Sequence, residues 1–204
     1  MTTLQDLIGG LPSMKCHGDD TLPVAGIKDD SRKVGRGDLF VAIRGQTVDA
    51  HNFIPAALAQ GAAAIVGERD LAEIEALLGR ALPVPYGQVP NGREALAYLA
   101  AAWHGWPGLK LRVIGVTGTD GKTTTVSLIT SILEAAGRRV GMVNTVCARI
   151  GGQEQDTGFH TTTPEALDVQ RYLAAMVAAE AEYAVLEASS HGLEQHRVTA
   201  CEFD

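Results

Sequence analysis

The chain has 204 residues, 46% hydrophobic and 20% charged, which is enough apolar chain for one large domain or two smaller ones. Its 24 acidic against 17 basic residues leave a formal charge of −7, excluding a broad basic surface for nucleic acid, so any phosphate must be held locally. No apolar run reaches the roughly 20 residues needed to cross a bilayer, and the start, MTTLQDLIGG, has no leader pattern, so the cytoplasm is the expected compartment.

Taken in chain order, residues 24–29 and 38–43 carry buried-strand patterns, and 53–60 carries a helical one that Gly61 closes. Residues 62–66 read as a strand and 72–78 as a helix, the alternation of an α/β unit. The stretch LPVPYGQVPNG at 82–92 is rich in proline and glycine and is the expected boundary, giving domains 1–88 and 89–204. Asn91 and Glu94 suit the cap of a helix bearing Leu96, Leu99 and Ala100. A strand at 111–116 runs through glycines into a helix at 123–136, with Leu128, Ile129, Ile132 and Leu133 on one face and Gly137 as its end. A strand at 140–145 completes a parallel crossover unit. Thr163 as N-cap and Pro164 as first residue suit a helix with Leu167, Gln170, Leu173, Met176 and Val177 on one side, and 183–187 reads as the next buried strand. The expected fold class is α/β: a small N-terminal α/β domain followed by a partial P-loop-type parallel-sheet domain. Its last residues, VTACEFD, read as the lead into one more strand.

The junction GVTGTDGKTTT at 115–125 carries the chemistry. Glycines let backbone N–H groups approach phosphates, Lys122 can bridge the outer ones, and the Thr123 hydroxyl can ligate Mg2+. The strict Walker A spacing asks for glycine six places before the lysine, where Val116 stands; the glycines fall at Gly115, Gly118 and Gly121. A plain strand-to-helix turn has no need of glycines, lysine and hydroxyls together, and a dinucleotide loop would leave Lys122 without a task. Glu187, at the C-terminal end of the strand 183–187, is the expected metal carboxylate, because ligands of open α/β sheets gather at that edge. The segment ASSHGLEQHR after it could line a substrate cleft with His191, Gln195, His196 and Arg197, or be an ordinary polar loop. Cys16, Cys147 and Cys201 are too few and too scattered for a disulfide framework or a thiolate metal site.

Four stretches together resemble the Mur ligases over nearly the whole chain: DDSRKVGRGDLFVAIRGQTVDAHNF with AAIVGE, then GVTGTDGKTTT, HTTTPEALDVQ and LEASSHGLEQHR. The last two are similar to the members that add the third peptide residue of the cell-wall precursor and unlike those that add the terminal dipeptide. The resemblance implies a UDP-binding N-terminal domain and a central ATP-binding domain, with ATP and Mg2+ as cofactors. It implies UDP-N-acetylmuramoyl-dipeptide and a diamino acid as substrates, no nucleic acid, no membrane insertion, and a monomer. Gly118, Thr119, Asp120, Gly121, Lys122, Thr123 and Thr124 fall on the family's ATP loop, with Lys122 and Glu187 catalytic and Thr123 and Glu187 on the metal. Asp29, Ser31, Gln46, Thr47 and Val48 fall on UDP-substrate contacts, the last three differing from the residues common there. Thr161, Thr162, Thr163, Ser189, Gln195 and Arg197 fall on further contacts to the same substrate. Asp120 stands where asparagine is more usual, and His160 and His191 take no role.

The family's carbamylated lysine, second metal-binding histidine and C-terminal domain would all lie beyond Asp204. The chain is therefore expected to be a fragment that cannot complete an amide ligation alone. The alternative from another class is a non-catalytic module that binds a UDP-sugar. A nucleotide switch would carry N-K-x-D, which the sequence lacks.

Overall fold

The computed structural model describes residues 2–156 and 162–204, so Thr161 and His160 lie outside the described residues. By its internal contacts the chain divides into two compact units, Met1–Ala102 and Trp103–Asp204.

The first unit runs α1 (Leu4–Ile8), β1 (Lys15–His17), β2 (Ile27–Lys28), β3 (Leu39–Ala42), α2 (Ile54–Ala59), β4 (Ala64–Gly67), α3 (Leu71–Leu78), β5 (Tyr86–Gln88) and α4 (Gly92–Trp103). Its sheet has the order β1-β5-β4-β3-β2, with β2 to β5 parallel and β1 antiparallel at the edge. The central strands β3 and β4 read LFVA and AIVG and are buried at every position, as parallel strands covered on both faces must be. Pro55 sits in the first turn of α2, where its missing N–H costs nothing, and Gly79 ends α3 in the left-handed region at φ 65°.

The proline- and glycine-rich stretch 82–92 is not a linker, because β5 lies inside it and pairs with β4 and β1. The dividing line falls at 102/103 instead of near 88, which groups α4 with the first unit. The start of α4 shows why: the Gly92 N–H donates to Glu68 Oε1, and a Cβ on Gly92 would sit 3.3 Å from Ile43.

The second unit runs β6 (Arg112–Val116), α5 (Lys122–Ala135), β7 (Val140–Val143), β8 (Cys147–Ile150), β9 (Gln153–Asp156), α6 (Ala166–Ala178), β10 (Tyr183–Glu187) and α7 (Ser190–Glu194). The sheet order is β6-β10-β7-β8-β9. It is mixed: β6, β10 and β7 are parallel, and the β8–β9 hairpin extends it antiparallel. Helix α6 covers one face through Val169, Tyr172, Leu173 and Met176, and α5 covers the other through Val126, Ile129 and Leu133. Leu128 and Ile132, expected on the buried face of α5, are 58% and 67% exposed, because the sheet takes the face centred on Val126 and Thr130.

The expected strand 140–145 ends at Val143. Asn144 turns the chain there, its side chain accepting from the Val146 and Cys147 N–H groups at 2.8 and 2.9 Å. The helix expected to start from Thr163 starts from Glu165. At the end of the chain Phe203 forms one parallel bridge to Val113 on the outer edge of β6, and the Asp204 N–H donates to the Val113 carbonyl. The Phe203 ring lies over Gly115, where a Cβ would come within 2.7 Å of it.

Candidate nucleotide site

In the second unit three parallel strands deliver the site from adjacent C-terminal ends: β6 leads into the glycine loop, β7 into Asn144 and Thr145, and β10 ends on Glu187. Register places Glu187 opposite Val116 and Leu186 opposite Val143, so Glu187 emerges between the loop and the Asn144 turn.

Gly118 (φ 149°) and Gly121 (φ 77°) take backbone conformations that a side chain disfavours, and Gly121 is the N-cap of α5. No side chain caps this helix, and its first internal bond runs from the Thr125 N–H to the Gly121 carbonyl. The N–H groups of Lys122, Thr123 and Thr124 are thus left at a helix start, where backbone dipole and donors together favour a phosphate. Lys122 folds back and donates from Nζ to the Gly118 and Thr119 carbonyls at 2.9 and 3.1 Å. Thr119, Asp120 and Thr124 are exposed along the same loop.

Glu187 is 3% exposed, and among the described residues it has no ion-pair partner. Its Oε2 accepts from the Thr123 hydroxyl, the Thr145 N–H and the Thr145 hydroxyl, each at 3.0 Å. A buried carboxylate met by neutral donors alone is costly and suits a cation. Thr123 Oγ1 and Glu187 Oε2 are a hard-oxygen pair, as Mg2+ requires, and this ion takes its remaining ligands from water and substrate phosphates. The described residues accordingly hold no group of three acidic, histidine or cysteine side chains that could bind a metal alone.

Behind Glu187 lies a second network. The Thr163 hydroxyl donates to the Glu187 carbonyl at 3.2 Å, accepts from the Ser189 N–H at 2.9 Å and lies 3.1 Å from Ser189 Oγ. This use of its side chain, in place of capping, explains why α6 begins two residues late. Arg197 donates to the Thr163 carbonyl at 2.8 Å and pairs with Glu165 at 2.6 Å. Thr163, Ser189 and Arg197 are therefore brought together next to Glu187. Gln195 is half-buried at the end of α7, Thr162 is half-buried just before Thr163, and exposed His191 pairs with Glu194 at 3.9 Å.

In the first unit Asp29 and Ser31 follow β2, and Gln46, Thr47 and Val48 follow the neighbouring β3, so both groups occupy the C-terminal edge of one parallel sheet. The Gly45 N–H donates to the Val48 carbonyl at 2.9 Å and closes a tight turn that leaves Gln46, Thr47 and Val48 exposed. Ser31 opens a short 3-10 turn, and its carbonyl accepts from the Gln60 side chain at 2.9 Å.

Sequence reasoning assigned no role to what supports this edge. Fully buried His51 lies 2.5 Å from Asp49 through Nδ1 and accepts at Nε2 from the Glu68 N–H at 2.8 Å and the Arg69 N–H at 3.3 Å. With Nε2 accepting, the ring proton belongs on Nδ1 and is given to Asp49. Arg69 adds an ion pair to Asp49 at 2.6 Å. Burial works to raise the Asp49 carboxyl, but the bonds from His51 and Arg69 outweigh it and hold it at about 2. The Asp-x-His spacing in DAHNF is the signal that marks this pair. Thr145 also carried no assignment, since its bond to Glu187 spans 42 residues of sequence.

Two family patterns match the chain. The Mur ligase family catalytic domain matches residues 23–104 and the Mur ligase middle domain matches residues 116–204. The chain is 40% identical over 201 residues to the UDP-N-acetylmuramoyl-L-alanyl-D-glutamate--2,6-diaminopimelate ligase of Parabacteroides distasonis, covering 98% of this chain and 40% of that protein. It is 47% identical over 183 residues to the UDP-N-acetylmuramyl-tripeptide synthetase of Roseiflexus sp., covering 89% of this chain and 35% of that protein. The solved structure of a UDP-N-acetylmuramoyl-L-alanyl-D-glutamate--2,6-diaminopimelate ligase superposes with a TM-score of 0.73 at 27% identity, over 100% of this chain and 39% of that one. The chain thus spans about two fifths of the length of the curated relatives it matches. With a Mur-type glycine spacing before a lysine, a buried glutamate facing the loop threonine, and both patterns in sequence order, the chain belongs to the Mur ligase family.

Proposed function

We propose that this chain is the substrate-binding and nucleotide-binding part of an ADP-forming ligase of peptidoglycan precursor synthesis. The ligase joins a diamino acid to UDP-N-acetylmuramoyl-L-alanyl-D-glutamate. The observation that carries the reading is the convergence of Lys122, Thr123 and Glu187 at adjacent strand ends in a chain whose relatives are named for this reaction. The first unit takes the uridine nucleotide through Asp29, Ser31 and the turn Gln46–Val48. The second unit takes ATP on Gly118–Thr124, with Thr162, Thr163, Ser189, Gln195 and Arg197 toward the peptide-bearing arm. Thr161 belongs to this last group by its place in the sequence and lies outside the described residues. The enzyme works in the cytoplasm as a monomer, and no helix among the described residues is long and apolar enough to cross a membrane.

In the reaction the terminal carboxylate of the precursor attacks the γ-phosphorus of ATP, forming an acyl phosphate and releasing ADP. The amino group of the diamino acid then attacks the acyl carbon; phosphate leaves, the amine loses a proton and an amide forms. Negative charge gathers on the transferring group, and the α5 N–H groups together with Lys122 answer it by fixed positive dipole and charge. Lys122 leaves the Gly118 and Thr119 carbonyls to do so. Thr123 and Glu187 would hold Mg2+, which supplies charge neutralisation between phosphates. Thr163 and Arg197 stiffen the segment next to Glu187, keeping the reacting ends in line.

Titration of the chain with UDP-N-acetylmuramoyl-L-alanyl-D-glutamate tests this reading. Saturable binding that Ser31→Ala weakens about tenfold, a loss equal to one good hydrogen bond to a charged group, is the expected result. Absence of binding, or equal affinity for any nucleotide diphosphate, would refute it. Release of ADP that depends on an added diamino acid is expected from the longer protein only, since the relatives are about two and a half times the length of this chain.

A further inference from the structure

The geometry points to Thr145 as a positioning residue for the metal-binding carboxylate: it clamps Glu187 Oε2 so that this oxygen faces the loop threonine. This rests on the proposal that Thr123 and Glu187 hold a divalent cation with ATP. Of the three donors that the described residues place on Oε2, two belong to Thr145, from its N–H and its hydroxyl, both at 3.0 Å. The third is Thr123 itself, whose hydroxyl oxygen must also meet the cation. Thr145 therefore supplies the donors that do not have to be shared with the ion.

Thr145 is itself fixed. It stands two residues beyond the end of β7, whose pairing with β10 sets the spacing to Glu187. Asn144, buried before it, closes the turn by accepting from the Val146 and Cys147 N–H groups and donating its own N–H to the Cys147 carbonyl. Held in that turn, the Thr145 N–H and hydroxyl point the same way without paying for side-chain freedom. A carboxylate in a polar site has a broad terminal torsion. Two donors from one rigid turn select the rotation in which Oε2 faces Thr123 and leave Glu187 Oε1 free of this clamp. Groups that orient a metal ligand in this manner typically shift metal affinity by about 10- to 100-fold when removed.

The test uses Mn2+ as a stand-in for Mg2+, with ATP, read by electron paramagnetic resonance on the 204-residue chain. Thr145→Val keeps the volume and the backbone N–H but removes one of the two clamping donors. It is expected to weaken Mn2+ about tenfold in the presence of ATP, to leave metal-free ATP affinity and thermal unfolding unchanged, and to be rescued by Thr145→Ser. Should the valine variant melt early, Thr145→Ala, which only removes atoms, takes its place. Mn2+ affinity within twofold of the parent, or an equal loss of metal-free ATP affinity, would overturn the proposal. Glu187→Gln in parallel separates the two levels: if it weakens Mn2+ and Thr145→Val does not, only the positioning role fails. If neither does, or if the parent takes up no Mn2+ with ATP, the cation reading fails and this proposal with it.

Discussion

His51 shows how much a single buried side chain can organise. Its ring joins two segments: Asp49, which ends the Gln46–Val48 turn, and the Glu68 and Arg69 N–H groups, which follow β4. Replacing it by leucine would leave Asp49 short of a donor and two N–H groups short of an acceptor. The expected cost is about 2–4 kcal/mol of unfolding free energy, measurable by urea titration; a loss under about 0.5 kcal/mol would show the network to be incidental. Asp49 gives this cluster a pH signature. Its folded-state carboxyl is depressed to about 2, below the ordinary 3.8, so its contribution is present above the unfolded value and is lost as pH falls through the folded one. Asp49→Asn is expected to flatten the fall in melting temperature between about pH 5 and about pH 2. An unchanged acid limb would contradict this. Only the Asp49 pair has a local signal, in the Asp-x-His spacing. The bonds to Glu68 and Arg69 could not be read from the sequence, because those N–H groups lie 17 and 18 residues away and no periodicity marks them.

Among the elements, the regular ones were legible and the edges were not. The β6–loop–α5 crossover stood out because its apolar run meets glycines, and β10 because an apolar run is flanked by polar residues; the structure places both close to their expected bounds. The β8–β9 hairpin was missed because its second strand, QEQD, is polar and carries no alternation that separates strand from loop. Helix α4 was expected with the second domain because the proline- and glycine-rich stretch before it reads as a boundary, while its alanine-rich amphipathic face fits a core on either side. Only its contacts decide. Glycines again divide by cause. A methyl group on Gly141 would meet the Met176 side chain where α6 lies directly on β7, whereas one on Gly121 would meet nothing within 4 Å and only the φ of 77° opposes it. Gly141→Ala is therefore expected to destabilise by about 1–3 kcal/mol through overpacking. Gly121→Ala should cost roughly 1 kcal/mol through backbone strain and act mainly on nucleotide binding. Thermal unfolding and ATP titration of the two variants read the difference, and a Gly121→Ala variant that binds ATP no worse than Gly141→Ala would refute it.

For the whole molecule, the sequence motifs and the fold agree on one arrangement. Two α/β units each present their candidate ligand contacts at the C-terminal edge of a mainly parallel sheet, the position such sheets use for ligands. In the second unit that edge carries a glycine loop whose lysine rests on the loop's own carbonyls and a buried glutamate held by two threonines. Calorimetric titration with ATP and Mg2+, comparing the parent chain with Lys122→Ala, tests this most directly, because among the described residues Lys122 binds only loop carbonyls and its loss should leave the fold intact. Saturable binding in the parent, weakened at least tenfold in Lys122→Ala at an unchanged melting temperature, is the result predicted. Equal affinity in the two proteins would contradict the assignment of the loop as a nucleotide site.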